Sequence, residues 1–246
     1  MHATARVDSL RAPGDVRGGM LAPAKLVLVV AVKDLRAEFR TKEAINASAA
    51  FALVILLLFS FAFDLDPDTN REIASGLLWL VFAFAGTLLL NRSFARELPN
   101  DCLDALVAAP IASWALFLGK SLANYVLLLA IEFLSLIVFG IFYNVHWTVQ
   151  FWQLMMVLAL GTWALTIMGT IFSALTVNIR LREVMLPILI YPFLVPALMS
   201  AIQLTLGLMA GKPIGPDTAA WLPMLIGFDV IYTAVTVVLV EHVLVG

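Results

Sequence analysis

Residues 121–143 read SLANYVLLLAIEFLSLIVFGIFY, with Glu132 the only charged side chain. The hydrocarbon core of a bilayer takes roughly 20 residues of α-helix, and this run is long enough to cross it. No water is present there to satisfy stray backbone groups, so a crossing segment closes its own hydrogen bonds as a helix. Five further stretches have the same character, at about residues 44–63, 73–90, 152–177, 184–210 and 221–244. The fourth and fifth spans exceed the minimum length, and tilt or a protruding turn is expected of them. With short connections throughout, the expectation is an all-α integral membrane protein: six transmembrane helices in one bundle (44–246) without a soluble domain.

Composition agrees. Of the 246 residues, 62% are hydrophobic and 13% charged, and the mean hydropathy is +0.99. A soluble domain carries about 25% charged residues. This chain has too little polar surface to cover a soluble core. Disordered, collagen-like and disulfide-scaffold classes are excluded by the same arithmetic, and the single cysteine, Cys102, excludes an intrachain disulfide.

The net charge of −2 says little, but its distribution says much. Of the 15 Lys and Arg, 13 fall before the first span, in the second connection (Arg92, Arg96, Lys120) or in the fourth (Arg180, Arg182). The opposite side has Arg71 and Lys212 and carries Asp64, Asp66, Asp68 and Glu72. The positive-inside rule then places both termini in the cytoplasm. Residues 1–23 are expected to be a disordered tail; they lack a signal-peptide apolar run, and Met1 and Met20 both stand as start positions. Residues 24–43 differ: Leu28, Val32, Leu35 and Phe39 recur at helical spacing, with Lys33, Arg36 and Arg40 off that stripe. This reads as an amphipathic helix at the membrane surface, with a frayed extension of the first span as the alternative.

The connection 91–120 is too patterned for a passive loop. Asn100 or Asp101 can cap a short helix, Leu103, Leu106 and Val107 form its apolar stripe beside Asp104, and Pro110 ends it. Two readings stand: a helix packed on the bundle, or a docking helix for a cytoplasmic partner. Residues 111–118 are expected to form a second short helix returning to the membrane. Gly119-Lys120-Ser121 resembles the end of a phosphate-binding loop, but Trp114 stands where the first glycine belongs and no strand precedes it. Nucleotide handling therefore falls to a partner.

Within the spans, a carboxylate is costly, so Glu132 and Asp229 are candidate functional groups or buried acids bonded to a neighbouring helix. Thr162, Thr166 and Thr170 repeat every fourth residue beside Gly161, Gly169 and Ser173, which reads as a helix-contact face more than a substrate path. Gly207 and Gly211 form a weak packing signal. Pro187, Pro192 and Pro196 imply a kinked or broken fifth span. His146, near Trp147 and Trp152, is either a heme ligand or part of an interfacial aromatic belt. No metal-ligand spacing, nucleophile elbow or other catalytic constellation is present in the sequence.

Several stretches taken together resemble the heme exporter protein B (CcmB) family, the membrane subunit of the cytochrome c maturation ABC system. They are KDLRAEFRTKE (33–43); Arg92, Phe94, Asp104, Leu106, Pro110 and Lys120; LGTWALTIMGTIFSALTVNIR (160–180); Arg182 through Pro187, Pro192 and Pro196; and Gly227, Phe228, Asp229 and Glu241. Asn91 and the Asn100-Asp101-Cys102 turn depart from the family pattern. The resemblance implies an ABC-2-like permease of the inner (cytoplasmic) membrane that is not itself an enzyme. It implies a CcmA-like ABC ATPase partner, a CcmC-like heme-handling membrane subunit and a second copy of the chain. Heme would be cargo, not a resident cofactor, with either heme export or release of a heme-loaded chaperone as the driven step. The alternative is a generic ABC-2 exporter permease for a lipid, drug or polysaccharide.

Overall fold

The computed structural model describes residues 23–62, 67–95, 112–143, 149–177, 179, 181–216, 218 and 220–245. Among them are seven α-helices and no strand: α1 (Pro23–Thr41), α2 (Glu43–Ala62), α3 (Pro67–Leu90), α4 (Ser113–Phe142), α5 (Phe151–Thr176), α6 (Arg182–Met209) and α7 (Trp221–Val245). α2 to α7 are each long and apolar enough to cross a membrane, so the chain is an all-α, multi-pass membrane protein.

α3 and α5 are the inner helices. In each, 72% of the apolar window is buried, against 22% to 39% for the other four. Their joint is Trp79, wholly buried, whose indole N–H donates to Thr205 Oγ1 on α6 at 2.9 Å. Its ring sits where a side chain on Gly161 of α5 would be: a Cβ there would lie 2.2 Å from the ring. Gly161 is thus a glycine because an indole occupies the space. The far end of α7 returns to the end where α3 finishes and α4 begins, since Val243 packs with Phe94 and Phe117.

α1 is a separate helix. Pro23 opens it, a favoured place for a residue without an N–H. Lys42, at φ 57, turns the chain into α2. α1 lies against the first half of α4 so closely that a Cβ on Gly119 would stand 2.6 Å from Val30 Cβ and 2.9 Å from the Val27 carbonyl. The expected stripe is divided: Leu28, Val32 and Phe39 are exposed, Leu35 turns to the core, and the buried face carries Val30, Ala31 and Glu38.

Two expectations need correction. Residues 113–118 are not a separate short helix; α4 begins at Ser113 and runs unbroken through Lys120 to Phe142. No proline or glycine pair intervenes to break it. Gly211 is not a packing residue. It has φ +75, nothing lies within 4 Å of a Cβ on it, and it closes α6 with Gly211 N–H to the Leu208 carbonyl and Lys212 N–H to the Gly207 carbonyl. That is the glycine-dependent Schellman ending. α6 itself passes through Pro187, Pro192 and Pro196 without a break.

Candidate functional site

Buried polar groups concentrate on one face of α5 and on the helices it meets. At one end stands Lys120 of α4, with a side chain 1% exposed. A buried ammonium is costly unless paired. Its Nζ donates to Asp34 Oδ2 of α1 at 3.2 Å and to the Ser93 carbonyl at 3.3 Å, and lies 4.9 Å from the centre of the Phe94 ring. One turn on, Asn124 Nδ2 donates to Ser93 Oγ at 2.9 Å and to Thr170 Oγ1 at 3.1 Å. Ser173 Oγ donates to the Leu90 carbonyl at 2.8 Å, which at the end of α3 also accepts from the Ser93 N–H at 3.0 Å. Glu38, one turn past Asp34, accepts from the Ala44 and Ile45 N–H groups at 2.9 and 3.0 Å. These are first-turn donors of α2, and a carboxylate there also complements the helix dipole. Ser93 precedes the connection to α4 and Lys120 follows it, so both ends of that connection are tied to α1, α4 and α5.

Deeper in the bundle, Thr162 of α5 donates to Glu132 Oε2 of α4, both wholly buried. Glu132 Oε1, Ser135 Oγ and both carboxyl oxygens of Asp229 have no hydrogen-bond partner among the described residues. The neighbouring Trp163 stacks edge-on with Tyr125 at 5.4 Å and donates to Thr233 Oγ1 on α7 at 3.0 Å, and Thr233 Oγ1 donates to the Asp229 carbonyl. α4, α5 and α7 are therefore joined at one level, with an acid on α4 and another on α7. Thr166 bonds back to the Thr162 and Trp163 carbonyls of its own helix. The threonine face of α5 thus meets α4 twice, through Thr162 and Thr170.

α6 presents a different surface. Its three prolines lack the N–H that would serve the carbonyls of Glu183, Ile188 and Pro192. Next to this region the Tyr232 hydroxyl of α7 donates to the Phe193 carbonyl.

Over this whole arrangement, the family profile described as CcmB protein matches residues 25–244. The chain belongs to the CcmB protein family. It is 33% identical over 172 residues to Heme exporter protein B of Rhodobacter capsulatus, covering 70% of this chain and 78% of that one. The same protein of Paracoccus denitrificans is 31% identical over 167 residues (68% and 76% of the two chains). That of Haemophilus influenzae is 26% identical over 208 residues (82% and 91%). The CcmB match begins inside α1 and ends inside α7, so it takes in the Lys120 junction and both buried acids.

Of the residues singled out in the sequence, Glu132, Thr162 and Thr170 come together between α4 and α5, whereas the Asp229 carboxyl on α7 bonds to none of them. Asn100, Asp101, Leu103, Asp104, Leu106, Val107 and His146 lie outside the described residues. Trp152, next to the His146 segment, is 82% exposed. No cluster of three or more His, Cys, Asp or Glu occurs among the described residues. The sequence reading did not find the Asp34–Lys120 and Glu38 contacts. Lys120 counted as a basic residue of the second connection, as part of a rejected phosphate-binding pattern and as a family position, with no buried partner expected. The signals were Lys120 and Asn124, polar and four apart at the head of an apolar helix, and Asp34 and Glu38 at the same spacing on α1.

Proposed function

We propose that the chain is the permease subunit of an ATP-driven complex serving cytochrome c maturation, and that it couples a partner's ATP hydrolysis to heme export. The observation that carries this reading is the Lys120 junction in a member of the CcmB family. A connection pushed by a cytoplasmic partner needs stiff ends, and Ser93 and Lys120 provide them. Displacement of the segment between them passes into α1 through Asp34 and into α5 through Asn124 and Thr170. The names of the relatives supply heme as the cargo.

In this reading the termini and the connection 91–120 face the cytoplasm across the inner membrane, and α1 lies at that surface. The ATPase engages the segment carrying Asn100, Asp101, Leu103, Asp104, Leu106 and Val107. Hydrolysis belongs to that partner, and a heme-handling membrane subunit and a second copy of the chain complete the assembly. Glu132 and Asp229 lie where the inner helix α5 meets α4 and α7, and they respond to its movement. The docking assignment is tested by replacing Leu103 and Leu106 with Asp together and capturing the tagged chain in gentle detergent. The expected outcome is loss of the co-purifying ATPase with unchanged membrane insertion. Retained ATPase overturns the assignment.

A further inference from the structure

Two cavities open along one seam, where α3 packs on α6. The first, about 470 Å³, lies at the end of the bundle where α2 and α6 begin and α3 finishes; Ala47, Leu88, Asn91, Arg92, Arg182 and Glu183 line it. Arg92 also pairs with Glu43 at 2.8 Å. The second, about 230 Å³, is nearly all apolar and is lined by residues that include Gly76, Leu80, Phe84, Tyr191, Val195 and Ile202. On α3 and just past it, Arg92, Leu88, Phe84, Leu80 and Gly76 follow at four-residue steps, and on α6 so do Glu183, Pro187, Tyr191 and Val195. Such steps run along one ridge of a helix. The polar and the apolar cavity therefore lie one below the other along the same ridge. From Leu88 to Gly76 the helix spans about 18 Å. That is comparable to the depth of one leaflet's hydrocarbon, about 15 Å.

The lining has a chemical sense. Arg92 and Arg182 offer guanidinium forks, which suit phosphate oxygens, and Glu183 offers a carboxylate beside them. A purely anionic ligand would leave Glu183 opposed, whereas a phosphate carrying an ammonium satisfies all three. Below, Leu80, Phe84, Leu88 and Val195 are 39% to 53% exposed, so the cleft opens toward acyl chains. The shielded Tyr191 hydroxyl lies beside Thr87, whose own hydroxyl donates to the Phe84 carbonyl. A helical side chain leans toward the helix N-terminus, so Tyr191 leans back toward the polar cavity.

We propose that the α3–α6 seam holds one aminophospholipid of the phosphatidylethanolamine class. Its phosphate rests on Arg92 and Arg182, its ammonium on Glu183, and one acyl chain fills the cleft down to Gly76.

The test is native mass spectrometry of the full chain released from nanodiscs containing equal phosphatidylethanolamine, phosphatidylglycerol and phosphatidylcholine. One phospholipid retained per chain is expected, with phosphatidylethanolamine enriched about fivefold. Arg182→Gln and Gly76→Leu act on opposite ends, and each should lower occupancy about tenfold. Gly76→Leu is compatible with folding, because nothing lies within 4 Å of a Cβ at that position. Glu183→Gln should keep the lipid and lose the preference for the amine. Unchanged occupancy in either end variant overturns the proposal. Displacement by excess glycerophosphoethanolamine, which has the headgroup and no chains, also overturns it by showing a site for the headgroup alone.

Discussion

α5 and α6 follow one another in the chain, pack together and are both apolar, yet 72% of the apolar window of α5 is buried and only 33% of that of α6. Hydrophobicity does not separate them, because lipid tails are as apolar as leucine. Small and hydroxylated residues do. α5 carries Gly161 and Gly169 where Trp79 and Leu90 come in, and Thr162, Thr170 and Ser173 where α4 and α3 are bonded. α6 carries three prolines and leaves three of its own carbonyls without their usual donor. α5 is thus fixed to its neighbours through side chains, whereas α6 has given up internal bonds that would hold it straight.

The strongest way to break this contrast is Gly161→Ala. The new methyl would lie 2.2 Å from the wholly buried Trp79 ring, so the indole and its bond to Thr205 must shift. A loss of about 3 kcal/mol is expected, read as a lower thermal unfolding midpoint in detergent. A midpoint equal to the parent's would show that α5 is not held by that joint.

Glu132→Gln asks what the α4–α5 contact is for. The amide keeps the shape and the acceptor for Thr162, so assembly and thermal stability should be preserved. Cytochrome c maturation is expected to fall about tenfold, the order of a lost interaction worth about 1.4 kcal/mol. Normal maturation would make Glu132 a packing group.

The smallest effect is expected in α6. Pro192 is exposed, and Pro192→Ala returns a donor to the Ile188 carbonyl without disturbing core packing. Stability should rise by about 1 kcal/mol. Export, measured as maturation in cells, should slow if α6 needs its compliance. Faster or equal export with the stiffened helix would show that α6 does not need that compliance.

Much of this was legible beforehand. Six spans follow from run lengths that no other solvent tolerates. The threonine spacing on α5 marked a contact face, since residues four apart share one side of a helix. Lys120 was misjudged for a physical reason. A lysine at the head of a span usually reaches to water, and only a carboxylate brought from 86 residues away makes its burial tolerable. Gly211 was misjudged because spacing cannot distinguish a close helix approach from a left-handed φ.

The sequence by itself determined the membrane class, the number of spans and the family, because hydrophobic run length and ordered local motifs are properties of neighbouring residues. Only the tertiary structure decided which helices are central, which polar groups meet and which face of α1 is buried. Those depend on pairings such as Trp79 with Thr205 and Lys120 with Asp34, between residues far apart in the chain. Their energy exists only once the helices have packed.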